Sequence, residues 1–287
     1  MPKQTLFLTS PVDVNIKNGL LQLVSPDESS RPVLRCLEDL KTIIIDNHSV
    51  HITIPTLNLL SQNHISVVFC DERHIPVSML ADLDSSSIQG KMYRAQIEAG
   101  VVIKKKLWKQ IVERKIQNQS ALLGKIGAGH DLLKSYYMNV KSGDSTNREA
   151  QAAKVYWRKL FGKQFVRDRI GDPPNNLLNY AYAILRAYTA RALMGSGLLP
   201  SLGIFHRNYF NSFPLADDIM EPYRPFIDEK VFALYSEGYT DIDKHVKYEL
   251  ANIFYERLSF DLLSQTTSSL ASCFCGDGQL IYYPKLI

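Results

Sequence analysis

The first 80 residues set short apolar runs between turn-forming residues: Thr5 to Thr9, Val12 to Lys17, Leu20 to Val24, Val33 to Cys36, Thr42 to Asp46 and Ser66 to Cys70. Runs of this length, rich in β-branched and aliphatic residues, predict strands. Asn18-Gly19 lies between two of them, and both residue types accept the positive φ that a two-residue hairpin turn requires. One short helix, Thr56 to Asn63, interrupts the strands; Pro55 suits its first turn, where a missing amide hydrogen costs nothing. From Ile88 the period changes. Apolar residues recur three and four positions apart through Met92 to Gln119, Ala121 to Val140, Arg148 to Phe161, Leu177 to Met194 and Val246 to Leu263, which predicts helices. Gly162 and Gly195 stand where helices would stop, and Pro173-Pro174 where one could begin. The serine-rich stretch Asp84 to Ser87, with Gly90 soon after, reads as a linker. The pattern predicts an α+β chain: an N-terminal β-sandwich-like domain over residues 1–85, then a larger all-α domain over residues 86–287.

Composition adds bounds. With 287 residues, 45% of them hydrophobic, the chain can bury two modest cores, and disorder is excluded as its general state. The longest apolar runs are far too short to span a bilayer, and Met1 to Ser10 lacks the pattern of a signal peptide, so a soluble cytoplasmic protein with no membrane partner is expected. Cys36, Cys70, Cys273 and Cys275 offer one Cys-x-Cys and no second pair to complete a zinc site; they read as reduced thiols.

Charge changes the picture more. Net charge is +4, yet residues 86–170 hold 18 Lys and Arg against 6 Asp and Glu, while residues 1–85 hold 6 against 10 and residues 171–287 hold 9 against 13. Lys and Arg concentrated in one segment are the footprint of a phosphate-backbone binder, because neutralised phosphates release condensed counterions.

Three places in the helical half put metal-binding side chains in context. Glu149 follows Thr146 by three residues, which taken alone reads first as a capping box with the glutamate turned back to the helix start. His206 lies in a loop after the glycines that end the long helix; imidazole is a borderline ligand that manganese tolerates. In Asp217-Asp218-Ile219-Met220-Glu221, a helix would place Asp218 and Glu221 on one face, where two carboxylates converge on one ion or form a solvated acidic face. One histidine with carboxylates suits manganese or magnesium, ions that activate oxygen nucleophiles and clamp phosphoryl oxygens. Beside a basic segment, this combination points to metal-assisted phosphodiester chemistry.

Four stretches carry a resemblance: Lys115-Ile116-Gln117-Asn118-Gln119, Asp172-Pro173-Pro174-Asn175-Asn176-Leu177-Leu178-Asn179-Tyr180, Leu202-Gly203-Ile204-Phe205-His206-Arg207-Asn208, and Leu215-Ala216-Asp217-Asp218-Ile219-Met220-Glu221-Pro222-Tyr223-Arg224-Pro225. Over nearly the whole chain the sequence resembles the adaptation integrase family of CRISPR systems, first-numbered among the Cas proteins, and especially its type II branch. The resemblance implies a Mg²⁺ or Mn²⁺ site of Glu149, His206 and Glu221, with Asp218 as a water-mediated or supporting partner. Phe205 departs from the type II pattern, where a second histidine is common, and Pro174 departs modestly; neither removes a ligand. The implied reaction joins a free prespacer 3′ hydroxyl to a phosphodiester at the leader–repeat junction, with endonuclease activity beside it. The implied partners are double-stranded DNA, a second copy of the chain, and a small ferredoxin-like protein completing a heterohexamer, with the type II effector nuclease as a further candidate. Dimerisation and duplex support fall to the β domain. Lys91, Arg94, Lys104, Lys105, Lys106, Arg148, Arg207 and Arg224 are the expected DNA contacts, the last two alternatively structural ion pairs; Tyr156, Trp157 and Tyr180 are candidates for stacking on strand ends, or core. Two rival functions use the same residues: a structure-specific nuclease or resolvase with water as nucleophile, and a non-catalytic DNA-binding scaffold.

Overall fold

The computed structural model describes residues 4–27, 30–72, 74, 76–80, 86–206 and 208–287, with the backbone alone of residue 255. The chain divides into two compact units, Met1–Ser85 and Ser86–Ile287. Part of the expected linker, residues 84 and 85, lies outside the described residues.

The N-terminal unit carries strands β1 (Gln4–Leu8), β2 (Val12–Lys17), β3 (Leu20–Val24), β4 (Val33–Arg35), β5 (Leu40–Ile45), β6 (Val50–Ile52), β7 (Ser66–Cys70) and β8 (Pro76–Leu80), with helix α1 (Ile54–Gln62) before β7. They form two four-stranded sheets, ordered β1-β5-β7-β8 and β4-β3-β2-β6. Leu8, Val14, Leu21, Ile43, Leu60 and Val67 bury one core shared by both sheets and α1. Asn18 and Gly19 take φ of 52° and 77° and close the β2–β3 hairpin, pairing Lys17 with Leu20. Thr53 caps α1 by accepting from the Thr56 amide, with Pro55 in the first turn. Both sheets are mixed rather than purely antiparallel: β1 and β5, β5 and β7, and β2 and β6 pair parallel. The apolar pattern did not reveal β6, a three-residue strand made by non-local pairing, or β8, which starts at Pro76 and pairs through β7 alone.

The second unit is helical: α2 (Gln89–Glu98), α3 (Val101–Lys125), α4 (Asp131–Met138), α5 (Arg148–Leu160), α6 (Asn175–Gly195), α7 (Pro214–Met220), α8 (Arg224–Ser236), α9 (Lys244–Glu256) and α10 (Phe260–Cys275). Three expected boundaries move. The helix expected over Met92 to Gln119 breaks at Ala99-Gly100, and its second part runs on to Lys125. The next break falls not at Ser120 but at Gly127 and Gly129, whose φ of 70° and 71° end α3 and redirect the chain into α4. The helix expected over Val246 to Leu263 ends at Glu256 and restarts at Phe260. Helix α8 was not read from the pattern: Pro222 and Pro225 obscure a start that the structure places between them. Helix α3 buries Leu107, Trp108, Ile111, Val112, Ile116, Leu122 and Leu123, and on the same inner face the polar Lys115, Asn118 and Gln119. Among the described residues no helix is long and apolar enough to cross a membrane.

Candidate metal centre

The first carboxylate owes its position to how α5 begins. Asn147 adopts φ 52°, and Asp144 closes the helix start: its two carboxylate oxygens accept from the amides of Arg148 (2.8 Å) and Glu149 (2.9 Å). The capping box read at Thr146 and Glu149 therefore does not form; the Thr146 hydroxyl makes no hydrogen bond. Glu149 is left to reach α3, where the Lys115 ammonium donates to its Oε1 at 2.5 Å.

The second carboxylate stands where α7 ends. Glu221 opens a 3-10 turn, Glu221–Tyr223, which Asn118 of α3 grips by donating to the Pro222 carbonyl at 2.7 Å. Asn118 also donates to the Pro284 carbonyl and accepts from the Leu286 amide, tying the C-terminal residues to the same helix. Glu221 lies 2.6 Å from Lys115 Nζ through Oε2 and 3.1 Å from Arg224 Nη2 through Oε1. Burial would raise its pKa, but Arg224 and Lys115, with a smaller contribution from His206, outweigh burial and hold it at about 2. Burial likewise disfavours the Lys115 ammonium, yet Glu221 and Glu149 more than offset it and keep the group charged. Glu221 Oε2 is buried against the Lys115 ammonium.

Behind Glu221, Arg224 lies over the Tyr182 ring at 4.6 Å, and the hydroxyls of Tyr182 and Tyr156 (2.7 Å) both donate to Asp228. Burial pushes the Asp228 carboxyl up to about 6 against these two hydrogen bonds and the nearby Arg224 and Arg167. Because the folded protein keeps a proton that the unfolded chain releases, this group's contribution to stability is full below about pH 4 and declines as pH rises to about 6. Thermal melts of wild type and Asp228→Asn across that window are expected to show the wild-type advantage shrinking with pH; a constant gap contradicts the assignment.

The histidine is placed by a loop wrapped on one acid. Asp218 of α7 is fully buried. It accepts from the amides of Ile204 (2.6 Å), Phe205 (3.0 Å) and His206 (3.1 Å) and lies 2.7 Å from His206 Nδ1. That hydrogen bond, chiefly, raises the imidazole pKa, with burial opposing it. Nδ1 carries the proton toward Asp218, which leaves Nε2 as the ring nitrogen able to act as a ligand. Phe205, 48% exposed, stacks face to face on Trp108 at 4.1 Å, and His206 meets the same indole edge-on at 5.9 Å, so the indole backs the loop that carries His206. The loop passes so close that a Cβ on Gly203 would lie 2.4 Å from the His206 carbonyl oxygen. Gly203→Ala is expected to cost about 1–3 kcal/mol in a melt and to reduce activity further by displacing His206; wild-type stability would show that the loop can yield.

Not every expected carboxylate is free. Both oxygens of Asp218 are consumed by the loop, so Asp218 and Glu221 do not converge on one ion; Asp217 pairs with Arg186 at 2.7 Å and Asn211 at 2.7 Å. Among the described residues no three His, Cys, Asp or Glu side chains stand at ion-sharing distance. Nevertheless Glu149 and Glu221 already address one positive charge from two sides, and their oxygens suit a hard divalent ion. Lys115, which joins them, heads one of the four motif stretches, but nothing in the sequence assigns it a role at the site. Its signal was its register: it falls with Ile111, Val112 and Ile116 on the buried face of α3.

The expected DNA contacts differ in exposure. Lys91, Arg94, Lys105 and Lys106 are exposed, and Lys104 is half-buried, lining with Gln96, His206, Asn208 and Tyr209 a cavity of about 400 Å³. Arg148 is half-buried, hydrogen-bonded to Gln151 and set over the Tyr136 ring. Arg224 is engaged with Glu221 and Tyr182, the structural alternative to a phosphate contact. Arg207 lies outside the described residues. Tyr156 and Tyr180 are buried core residues, which removes them as stacking platforms, while Trp157 is half-buried against Phe161 and Phe165.

The family model described as CRISPR associated protein Cas1 matches residues 6–257. The chain belongs to the Cas1 family. It is 38% identical over 242 residues to the CRISPR-associated endonuclease Cas1 of Neisseria meningitidis serogroup C (strain 8013), covering 82% of this chain and 78% of that one. Its fold is similar to that of a casposase bound to integration product, with a TM-score of 0.78 and 19% identity over 97% of this chain and 92% of that one. It is also similar to a chain of a Cas6-RT-Cas1–Cas2 complex, with a TM-score of 0.73 and 19% identity over 97% of this chain and 35% of that one. Against those likenesses, the arrangement of two sheets followed by a helical unit is the Cas1 fold, and the motifs at Glu149, His206 and Glu221 lie within the matched residues.

Proposed function

We propose that this Cas1 protein joins prespacer DNA into a CRISPR array by metal-dependent transesterification, with Glu149, His206 and Glu221 as the ligands of Mg²⁺ or Mn²⁺. The observation that carries the reading is the convergence of Glu149 and Glu221 on a single cation, with a histidine whose Nδ1 is fixed by Asp218 in electrostatic reach of Glu221. A bound divalent ion supplies charge that polarises a phosphodiester. The chain's own residues do the rest. Asp218 fixes the imidazole tautomer. Asn118 and Arg224 hold the Glu221 turn. Lys104 beside His206, with Lys91, Arg94, Lys105 and Lys106, holds DNA by its backbone, which positions without reading sequence. A 3′ oxygen bonds to phosphorus as the bond to the leaving 3′ oxygen breaks, so the number of phosphodiesters is unchanged and no energy-supplying cofactor enters. The casposase neighbour, named as bound to integration product, supports joining, and the complex containing Cas2 supports a small partner protein. The assembly proposed is a homodimer, two of which meet a dimer of that partner.

The relative's name, an endonuclease, favours a second reading in which water replaces the 3′ hydroxyl. One assay separates them. Purified protein with its small partner is incubated with a supercoiled plasmid bearing leader and repeat, and with a prespacer ending in 3′ hydroxyl or 3′ deoxynucleotide. Joining that needs Mn²⁺ or Mg²⁺, is abolished by EDTA and disappears with the 3′-deoxy ends is the expected result. Nicking that ignores the prespacer end supports the nuclease instead.

A further inference from the structure

We infer that Lys115 is a replaceable internal counter-ion, an ammonium that occupies the centre between Glu149 and Glu221 when no metal is bound and that a divalent ion must displace in order to bind. This rests on the reading of those two acids as the metal-holding pair. The geometry is specific: Nζ stands 2.5 Å from Glu149 Oε1 and 2.6 Å from Glu221 Oε2, and the lysine side chain is only 10% exposed. Lysine is seldom so buried unless paired, because its desolvation is costly. Here it is paired twice, and with Arg224 on the far oxygen of Glu221 the four charges sum to zero. The metal-free site is therefore electrically complete, and two acids that would otherwise repel each other across a buried gap stay together.

The arrangement favours exchange. The ammonium is a single charge shared between one oxygen of each acid, at 2.5 Å and 2.6 Å. A divalent ion doubles the charge at the same two oxygens. Lysine also suits exchange better than arginine, being a compact point charge on a flexible stem rather than a rigid fork. Metal affinity is thus set partly by a competitor built into α3, and binding releases a cation beside the site, where an incoming phosphate is expected.

Isothermal titration of the full-length protein with Mn²⁺, together with Mn²⁺-dependent melting, tests this. Lys115→Met is expected to lower the melting temperature without metal, to bind Mn²⁺ about tenfold or more tighter, and to show a larger metal-induced rise in melting temperature than wild type. Lys115→Arg, which keeps a cation and grips carboxylates bidentately, is expected to bind Mn²⁺ no better than wild type. If Lys115→Met folds only with Mn²⁺ present, the ion is replacing the ammonium and the inference stands; Lys115→Gln is read in the same way. Unchanged or weaker Mn²⁺ binding in Lys115→Met overturns it, as does failure of both Met and Gln variants to fold with metal. Glu149→Gln and Glu221→Gln serve as reference: if neither weakens Mn²⁺ binding, the carboxylate pair itself is misassigned and the inference falls with it, whereas binding that depends on both acids but not on Lys115 overturns the inference alone.

Discussion

Glu221→Gln is expected to lower strand joining by about a thousandfold or more, and to destabilise the metal-free protein as well, whereas Glu149→Gln is expected to lose comparable activity with a much smaller change in melting temperature. The split follows from burial. The Glu221 side chain is 6% exposed, its two oxygens face Lys115 and Arg224, and removing its charge leaves two buried cations, with Glu149 alone to pair with Lys115 and, among the described residues, no carboxylate on Arg224 in its place. Breaking a buried pair in this way costs about 3–5 kcal/mol. Glu149 is 27% exposed and, among the described residues, its side chain pairs with the lysine alone, so solvent screens what its loss leaves behind. A fall in pH produces a similar loss through Glu221. Its pKa is held at about 2, below the 4.5 of an ordinary glutamate, so its stabilising contribution is intact above about pH 4.5 and disappears as pH drops toward 2. Equal stability of the two variants, or joining near wild type in either, contradicts this division.

Asp218→Asn carries the second large effect. The carboxylate accepts four hydrogen bonds, from three consecutive amides and the His206 ring. An amide group presents a donor where one of those oxygens stood, facing N–H groups that then have no acceptor. A buried donor left unsatisfied costs about 1–3 kcal/mol, and more than one is at stake here. Loss of a partner that orients a ligand typically lowers activity about 10–100-fold. A readout independent of activity is the imidazole titration followed by NMR. The hydrogen bond to Asp218 is the main influence raising the His206 pKa, so its midpoint is expected to fall in the variant. A midpoint that stays in place would show that Asp218 does not govern the ring.

Much of the fold could be read from apolar spacing, because the β2–β3 hairpin, α1, α5 and α6 are local structures with local signals: Asn18-Gly19, Pro55 in a first helical turn, Gly162 after Phe161, and apolar residues along Leu177 to Met194. What escaped was non-local. β6 exists because β2 lies beside it, and the end of α3 was misplaced because the apolar period continues across Ser120 while Gly127 and Gly129 set the true stop. The site divides the same way. Glu149, His206, Asp218 and Glu221 stood out as metal-binding types in recognisable motifs. Their roles did not follow from spacing: the i,i+3 relation of Asp218 and Glu221 suggested a shared ion, but α7 ends at Met220 and turns the two acids to different partners. Asp144 as the cap that frees Glu149, and Asn118 as the clamp on the Glu221 turn, depend on contacts between helices that no periodicity encodes. Lys115 stood in a motif stretch of the basic segment, but only its burial on the inner face of α3 separates it from the phosphate contacts expected of its neighbours.

Anomalous scattering from crystals soaked in Mn²⁺ decides whether the proposed ligands Glu149, His206 and Glu221 share one ion. The expected peak is coordinated by an oxygen of each glutamate and by Nε2 of His206, with the Lys115 ammonium moved from between the acids. A peak elsewhere, or one bound by the carboxylates without His206, contradicts the proposed centre.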